Sequence, residues 1–270
     1  MTVGRDRSRG NPGQLRLFDP WAVGSVAAVG SWVDGELLAF DLETTGVDRF
    51  HDRPVSFALL RLCRGKVTER TVGIVDPGRP IPPEATAVHG ITDEQARREG
   101  IALDCAIDLL VSVLLAASDH GIPVVGIKLD FDLTLVDVLC RALDGSGLTE
   151  RGWQGPALDV LVLDRHIDPF RPGRRTLVDL CATYRVAIER AHSAESDARA
   201  AALVLLAMAR RYPELAHTSP GELHEAQVGY HRAWATSYDQ WRRSRGLATL
   251  DPLEVRWPLA SVPDSGRGVA

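Results

Sequence analysis

The stretch that decides the fold of this chain is Phe40-Asp41-Leu42-Glu43-Thr44-Thr45-Gly46. It continues the apolar run 37–39, and such a run is typical of a buried strand. Because side chains alternate along a strand, Asp41 and Glu43 are expected on the same face. Two neighbouring carboxylates repel each other unless a cation lies between them. The stretch therefore predicts a cation site at the end of a strand.

The segments around this stretch alternate in the manner of an α/β protein. Strands are predicted at about 37–41, 54–63, 66–75, 122–127 and 157–163. Helices are predicted at about 103–118, 131–143, 176–185 and 194–211. Three antiparallel strands followed by strand–helix alternation imply a five-stranded mixed sheet, with the later strands parallel and helices on its faces.

The chain divides into three regions. Residues 1–20 hold Gly, Pro, Arg and Ser without periodicity and are predicted to be disordered. Residues 21–212 are predicted to form the α/β domain, and 213–270 a helical extension with a tail. An aromatic stripe in this extension recurs at intervals of 4, 3, 4 and 3, as one helix face does: Gln227, His231, Trp234, Tyr238 and Trp241. Packing of the stripe against the domain is favoured, while docking of a protein partner or dimer mate and stacking on nucleic acid remain open.

Composition narrows the classes of function. The net charge of −5 argues against a protein that grips a long phosphate backbone by charge alone. Lysine accounts for only two of the 31 basic residues, Lys66 and Lys128. The four cysteines form no C-x-x-C pair, so neither a zinc site nor a disulfide framework is predicted. The sequence shows no signal peptide or membrane-spanning run, and the cytoplasm is the expected location, without a membrane partner.

Further candidate ligands stand at two later positions. Asp132 follows the predicted strand 122–127, while His192 and Asp197 flank the start of the helix at 194–211. Carboxylate oxygens suit Mg²⁺ or Mn²⁺, and two such ions about 3.5–4 Å apart can activate a water and stabilise a leaving oxygen in phosphodiester hydrolysis. A histidine can take the proton of that water. These residues together predict metal-dependent hydrolysis of a phosphodiester.

In their order along the chain, these motifs resemble the DnaQ-like, DEDDh-type exonuclease superfamily, which includes proofreading subunits of bacterial replicative polymerases. The family's F-D-x-E-T-T-G corresponds to residues 40–46, and its F-D-L to 131–133. Its H-x(4)-D corresponds to His192 with Asp197, and its H-G-I-T segment to residues 89–92. The resemblance covers about 36–212, and the ordered set of motifs is highly specific.

The resemblance implies a ribonuclease H-like fold and a 3′→5′ exonuclease that releases nucleoside 5′-monophosphates. It implies that His192 is the general base and that four acids hold two Mg²⁺ or Mn²⁺ ions: Asp41, Glu43, Asp132 and Asp197. The terminal nucleotide is expected to contact a second set, largely through backbone and apolar groups: Thr44, Thr45, His89 and Ile91. The expected substrate is the single-stranded or frayed 3′ end of DNA or RNA, with DNA favoured by the family's association with DNA synthesis.

One departure from the family pattern concerns the substrate side of the site. Where the family carries His-Asn, this chain has Ile127 and Lys128, and Asp130 adds an acid. Lys128 is expected to be solvated, to pair with Asp130, to contact a substrate phosphate or to compete with a metal. The alternative function is therefore a slowed, nuclease-like accessory module that acts with a polymerase or repair partner.

Overall fold

A computed structural model describes residues 31–188, 192–253 and 255–260. The segment 1–20, predicted to be disordered, lies outside the described residues. Within the described part, no helix is both long enough and apolar enough to cross a lipid bilayer.

The centre of the structure is a six-stranded sheet with the order β4-β3-β2-β1-β5-β6. Its strands are β1 Glu36–Thr44, β2 Pro54–Cys63, β3 Lys66–Asp76, β4 Ile101–Ala102, β5 Val124–Gly126 and β6 Ala157–Asp159. The first three form an antiparallel meander, whereas β5 and β6 run parallel to β1, and β4 runs parallel to β3. The predicted mixed sheet is confirmed. The predicted number of five strands is wrong, because β4 has two residues and is too short to produce a sequence pattern.

Helices cover both faces of this sheet. In the described residues they are α1 Pro83–His89, α2 Asp93–Glu99, α3 Leu103–Asp119, α4 Leu129–Asp144, α5 Val160–Ile167, α6 Leu177–Tyr184, α7 Ala194–Arg211, α8 Pro213–His217 and α9 Pro220–Ser244. The strand predicted at 157–163 ends at Asp159 because this residue caps α5: its Oδ1 accepts a hydrogen bond from the Leu161 N–H at 2.8 Å. The apolar residues that follow are buried as a helix.

Strand alternation divides the core into two layers. Leu37 and Ala39 point into the cluster that contains the buried face of α7, whereas Leu38 and Phe40 point into the cluster with α3 and α4. Asp41 continues the first of these two series, so its side chain is directed to the α7 side of the sheet. The alternation of side chains along β1 thus decides which helix packs beside the acids.

The C-terminal helix α9 covers the edge strand β6. The Gln227 side chain donates to the Ala157 carbonyl at 3.0 Å and accepts from the Asp159 N–H at 2.8 Å. His224 Nδ1 accepts from the Ala157 N–H at 3.1 Å. These bonds satisfy backbone groups that an edge strand would otherwise leave unpaired. The division into a domain of 21–212 and an extension of 213–270 stays a prediction.

Candidate active site

Three acids from two elements meet at the carboxyl end of β1. Asp41 and Glu43 belong to the strand, and Asp197 belongs to the first turn of α7. One carboxylate oxygen from each residue can be chosen so that all three lie within 4.8 Å of one another. Oxygens at this separation can share one divalent cation. The strand and the helix are far apart in sequence, and packing alone brings these acids together.

Asp132 approaches the cluster from a third element. It lies in the first turn of α4, which follows β5, the parallel neighbour of β1. Asp132 lines the same cavity as the three acids and its charge acts on Asp41, although its oxygens are outside the 4.8 Å group. All four predicted metal ligands therefore face one cavity.

The acids carry unfavourable charge when they are ionised together. Burial raises the pKa of Asp41 well above its ordinary value, and the charges of Asp132, Asp197 and Glu43 raise it further. Burial and the charge of Asp197 raise the pKa of Glu43 to about 7. Burial also raises the pKa of Asp132 and of Asp197. Ionising all four acids together is therefore unfavourable unless a positive charge lies among them.

An orphaned oxygen supports the same conclusion. Asp197 Oδ2 accepts a hydrogen bond from the His192 N–H at 3.2 Å, but Asp197 Oδ1 is buried and has no hydrogen-bond partner among the described residues. A buried carboxylate oxygen without a partner is costly in a folded protein. A hard divalent cation would satisfy this oxygen, so the residues present fit a metal.

His192 lies at the rim of the cavity. It is exposed, and its backbone adopts a φ of 65°, in the left-handed region that non-glycine residues seldom use. Residues 189–191 on its N-terminal side are outside the described part of the chain. The left-handed turn directs the chain into α7, where Asp197 follows.

Four of the five predicted substrate contacts line the cavity: Thr44, Thr45, His89 and Lys128. The Thr45 hydroxyl donates to Asp52 at 2.7 Å and is buried, so it holds the loop after β1. His89 Nδ1 accepts from the Ile91 N–H at 3.1 Å. Ile91 itself is not among the described residues that line the cavity; it packs against a small apolar cluster.

Lys128 occupies an unusual backbone position. It is exposed, lines the cavity and precedes α4 with a φ of 56°. Asp130 pairs with a different cation, because its Oδ2 accepts from Arg49 Nη1 at 2.5 Å. Lys128 therefore lines the same cavity as the acids, and the described partner of Asp130 is Arg49.

Sequence reasoning missed two charged residues near the site. Asp159 ends β6 and accepts a hydrogen bond from the Leu129 N–H at 2.9 Å; burial and the charge of Asp130 raise its pKa to about 6. Arg165 lines the cavity with its guanidinium 3.5 Å from the Trp234 ring centroid. The signal for Asp159 was its place at the end of a strand parallel to β1. Arg165 lies two residues beyond the strand predicted at 157–163, in a segment for which no element was predicted.

The cavity extends far beyond the acids. Its volume is 2040 Å³, and it reaches from the end of β1 to one face of α9. That face carries three aromatic residues that all line the cavity, called here the aromatic ladder: Trp234, Tyr238 and Trp241. The cavity has room for several nucleotide-sized groups.

The part of the chain that contains β1 and its two acids matches the model of a known family. Residues 38–108 match the RNase_T exonuclease family. This match confirms the resemblance to exonucleases that the motifs predicted, and this part of the chain is similar to an exonuclease domain.

Several relatives of this chain are PolC-type DNA polymerases III. The chain is 28% identical over 173 residues to the PolC-type DNA polymerase III of Lacticaseibacillus paracasei, across 64% of this chain and 11% of that protein. It is 25% identical over 203 residues to the PolC-type DNA polymerase III of Bacillus subtilis, across 74% of this chain and 13% of that protein. The chain thus spans a small part of the length of these relatives.

Solved structures show the same fold. An exonuclease I from Methylocaldum szegediense is 26% identical with a TM-score of 0.55, over 67% of this chain and 41% of that one. E. coli exonuclease I in complex with a dT13 oligonucleotide is 23% identical with a TM-score of 0.56, over 67% of this chain and 42% of that one. The chain spans less than half of either protein.

Proposed function

We propose that this chain is a metal-dependent 3′→5′ exonuclease that releases nucleoside 5′-monophosphates from the 3′ end of a nucleic acid strand. The observation that carries the proposal is the convergence of Asp41, Glu43 and Asp197 within 4.8 Å, with one Asp197 oxygen left unpartnered. The match to an exonuclease family supports it.

Four acids are proposed to hold two Mg²⁺ or Mn²⁺ ions: Asp41, Glu43, Asp132 and Asp197. When bound, such ions activate a water and stabilise the charge of the leaving oxygen. The carboxylates fix the position of the ions and neutralise their charge. The raised pKa of Glu43, about 7, means that metal binding displaces protons from the site near neutral pH.

His192 is proposed to accept the proton of the attacking water. Its imidazole is exposed at the cavity rim, and its backbone is held by Asp197, so base and ligand keep a fixed relation. Thr44, Thr45 and His89 are proposed to line the site of the terminal nucleotide, with Ile91 supporting His89 from behind. Lys128 is proposed to contact a phosphate of the substrate.

DNA is the favoured substrate. The relatives are DNA polymerases, and the exonuclease I structures with this fold include complexes with dT13 and dA16 oligonucleotides. The net charge of −5 suits a protein that binds a strand locally at its metal site.

The test is a cleavage assay on 5′-labelled single-stranded DNA and RNA with Mg²⁺, Mn²⁺ or EDTA. We expect a ladder of products shortened from the 3′ end, with the metal required. A folded protein that produces no ladder on either substrate with either metal would defeat the proposal.

A second candidate is a slowed nuclease-like module that binds 3′ ends for a polymerase or repair partner. It is favoured by Lys128, which lines the cavity at a position where the family has a neutral Asn. In this case Lys128→Asn, which keeps a residue tolerant of the left-handed backbone, should switch cleavage on. A wild-type protein that already cleaves rapidly rules this candidate out.

A further inference from the structure

The aromatic ladder of α9 is a continuous row of parallel rings. Trp234 and Tyr238 stack with centroids 5.3 Å apart and an interplanar angle of 13°, and Tyr238 and Trp241 stack at 5.6 Å and 12°. Stacked rings on successive turns of one helix form a continuous apolar row. The three residues of this row line the same cavity as the acid cluster.

The two halves of α9 differ in what they contact. In the first half Leu223 and Gln227 are buried and join the helix to the domain, chiefly at β6 and α5. In the second half Trp241 is 48% exposed although it is the largest kind of side chain. Packing against the domain, the role favoured from the sequence, accounts for the first half of the stripe and leaves the ladder facing the cavity.

Other large apolar side chains are also exposed around the same cavity. Phe170, in the segment after α5, is 93% exposed and lines it, as do the exposed Val47 and Val88. Burying such side chains against a ligand would remove apolar surface from water. Among the described residues, four of the eight exposed large apolar side chains therefore line this cavity: Val47, Val88, Phe170 and Trp241.

Arginines accompany the rings. The guanidinium of Arg165 lies 3.5 Å from the Trp234 ring centroid, that of Arg242 lies 5.7 Å from Tyr238, and that of Arg245 lies 5.9 Å from Trp241. Rings interleaved with cations suit a ligand that has both flat apolar groups and negative charge. Single-stranded nucleic acid has both, because its bases stack on aromatic rings and its phosphates pair with arginine.

We propose that the aromatic ladder binds the nucleotides immediately upstream of the 3′ end, so that α9 serves as the single-strand track of the active site. From Trp234 to Trp241 the helix rises about 10 Å, the length of about three stacked nucleotides. This inference rests on the proposed exonuclease function for its polarity, because the acid cluster defines where the 3′ end lies. It assigns to the extension a substrate role that is separate from the chemistry of the acids.

The test compares binding with cleavage. Fluorescence anisotropy in EDTA gives the Kd for labelled dT10 and rU10, and steady-state kinetics with Mn²⁺ give kcat/KM for dT10 and for the p-nitrophenyl ester of thymidine 5′-monophosphate. The variants are Trp241→Ala, the double variant Tyr238→Ala with Trp241→Ala, and the ring-preserving Trp241→Phe. Gln240→Ala is the matched control, because Gln240 is exposed on α9 and outside the cavity lining. Thermal unfolding verifies that each variant is folded.

We expect Trp241→Ala to raise the Kd for dT10 about fivefold or more, the double variant to raise it further, and Trp241→Phe to restore most of it. The kcat/KM for dT10 should fall at least fivefold more than that for the ester, through KM. Gln240→Ala should match the wild type in every measurement.

Three results would overturn this proposal. The first is a wild-type Kd for dT10 in both alanine variants, and the second is an equal loss of kcat/KM on dT10 and on the ester. The third is a wild-type dimer that Trp241→Ala converts to a monomer, because a second copy of the chain would then occupy the ladder. If the wild type cleaves neither substrate but Trp241→Ala still weakens dT10 binding, the exonuclease proposal fails. Binding of a single strand by the aromatic ladder is then retained, without a defined polarity.

Discussion

Two buried acids of this protein show opposite solutions to the same electrostatic problem. Asp164 on α5 is fully buried, and its carboxylate accepts hydrogen bonds from Arg171 at 2.7 Å, from Arg175 and from the Tyr184 hydroxyl at 2.8 Å. Asp41 on β1 is surrounded by other carboxylates, which raise its pKa beyond the effect of burial. The charge of Asp164 is neutralised by arginines within the fold. The charges that act on Asp41 are those of other carboxylates.

The partners of a buried acid indicate whether its burial serves the stability of the fold or the function of a site. A buried charge that is paired and hydrogen-bonded costs little as long as its partners remain. A buried group of like charges is tolerated only where a ligand completes it. Comparing the partners of the two acids therefore points to the proposed metal site more clearly than burial does.

The largest expected effect is that of Asp41→Asn on cleavage. Removing one ligand should abolish metal-dependent cleavage, while the removal of a repelling charge leaves the metal-free protein as stable as the wild type or more so. Gel assays and thermal unfolding in EDTA measure the two quantities. Asp108→Asn, at an exposed position on α3, is the matched control and should cleave normally. Cleavage by Asp41→Asn at the wild-type rate would remove Asp41 from the site.

His192→Ala should lower kcat by about 10²–10⁴-fold, the usual contribution of a general base. Single-turnover rates measure this loss, with the exposed His217→Ala as control. A near-normal rate in His192→Ala contradicts the assignment.

Asp164→Asn should act on stability and not on chemistry. It leaves Arg171 and Arg175 without their shared partner, and breaking a buried pair costs about 3–5 kcal/mol. Urea unfolding measures this loss in the free energy of unfolding. Glu150→Gln, which breaks the exposed pair with Arg141, should cost far less. Cleavage per folded molecule should persist in both variants. A selective loss of cleavage in Asp164→Asn would contradict the assignment of Asp164 to stability alone.

The smallest expected effect concerns pH and metal. A Glu43 pKa of about 7 lies above the ordinary 4.5, so the folded protein holds a proton that the unfolded chain has lost. Stability from this group is complete below pH 4.5 and is lost as pH rises through 7. In EDTA the Tm should therefore fall as the pH rises from 4.5 to about 7, and Mg²⁺ or Mn²⁺ should raise the Tm at neutral pH. Glu43→Gln should flatten the slope, and an EDTA Tm that is independent of pH in the wild type would contradict the raised pKa of Glu43.

Much of the fold could be predicted because its signals are local. The strand predicted at 54–63 from its apolar run has the same bounds as β2, and the helix predicted at 194–211 has the same bounds as α7. The failure at 157–163 has a physical reason: a short apolar run is consistent with a buried strand or a buried helix. Tertiary packing resolved it when Asp159 capped α5. α1 escaped prediction because it lies in a proline-rich segment, although proline is tolerated in a first helical turn.

By itself, the sequence determined the alternation that places Asp41 and Glu43 on one face, and the order of motifs that indicates an exonuclease domain. These are properties of neighbouring residues, which backbone geometry fixes over short distances. Only the tertiary structure decided that Asp197 meets the strand acids and that the ladder of α9 lines the same cavity as they do. Such contacts join residues far apart in the chain, and their positions follow from how helices pack on the two faces of the sheet.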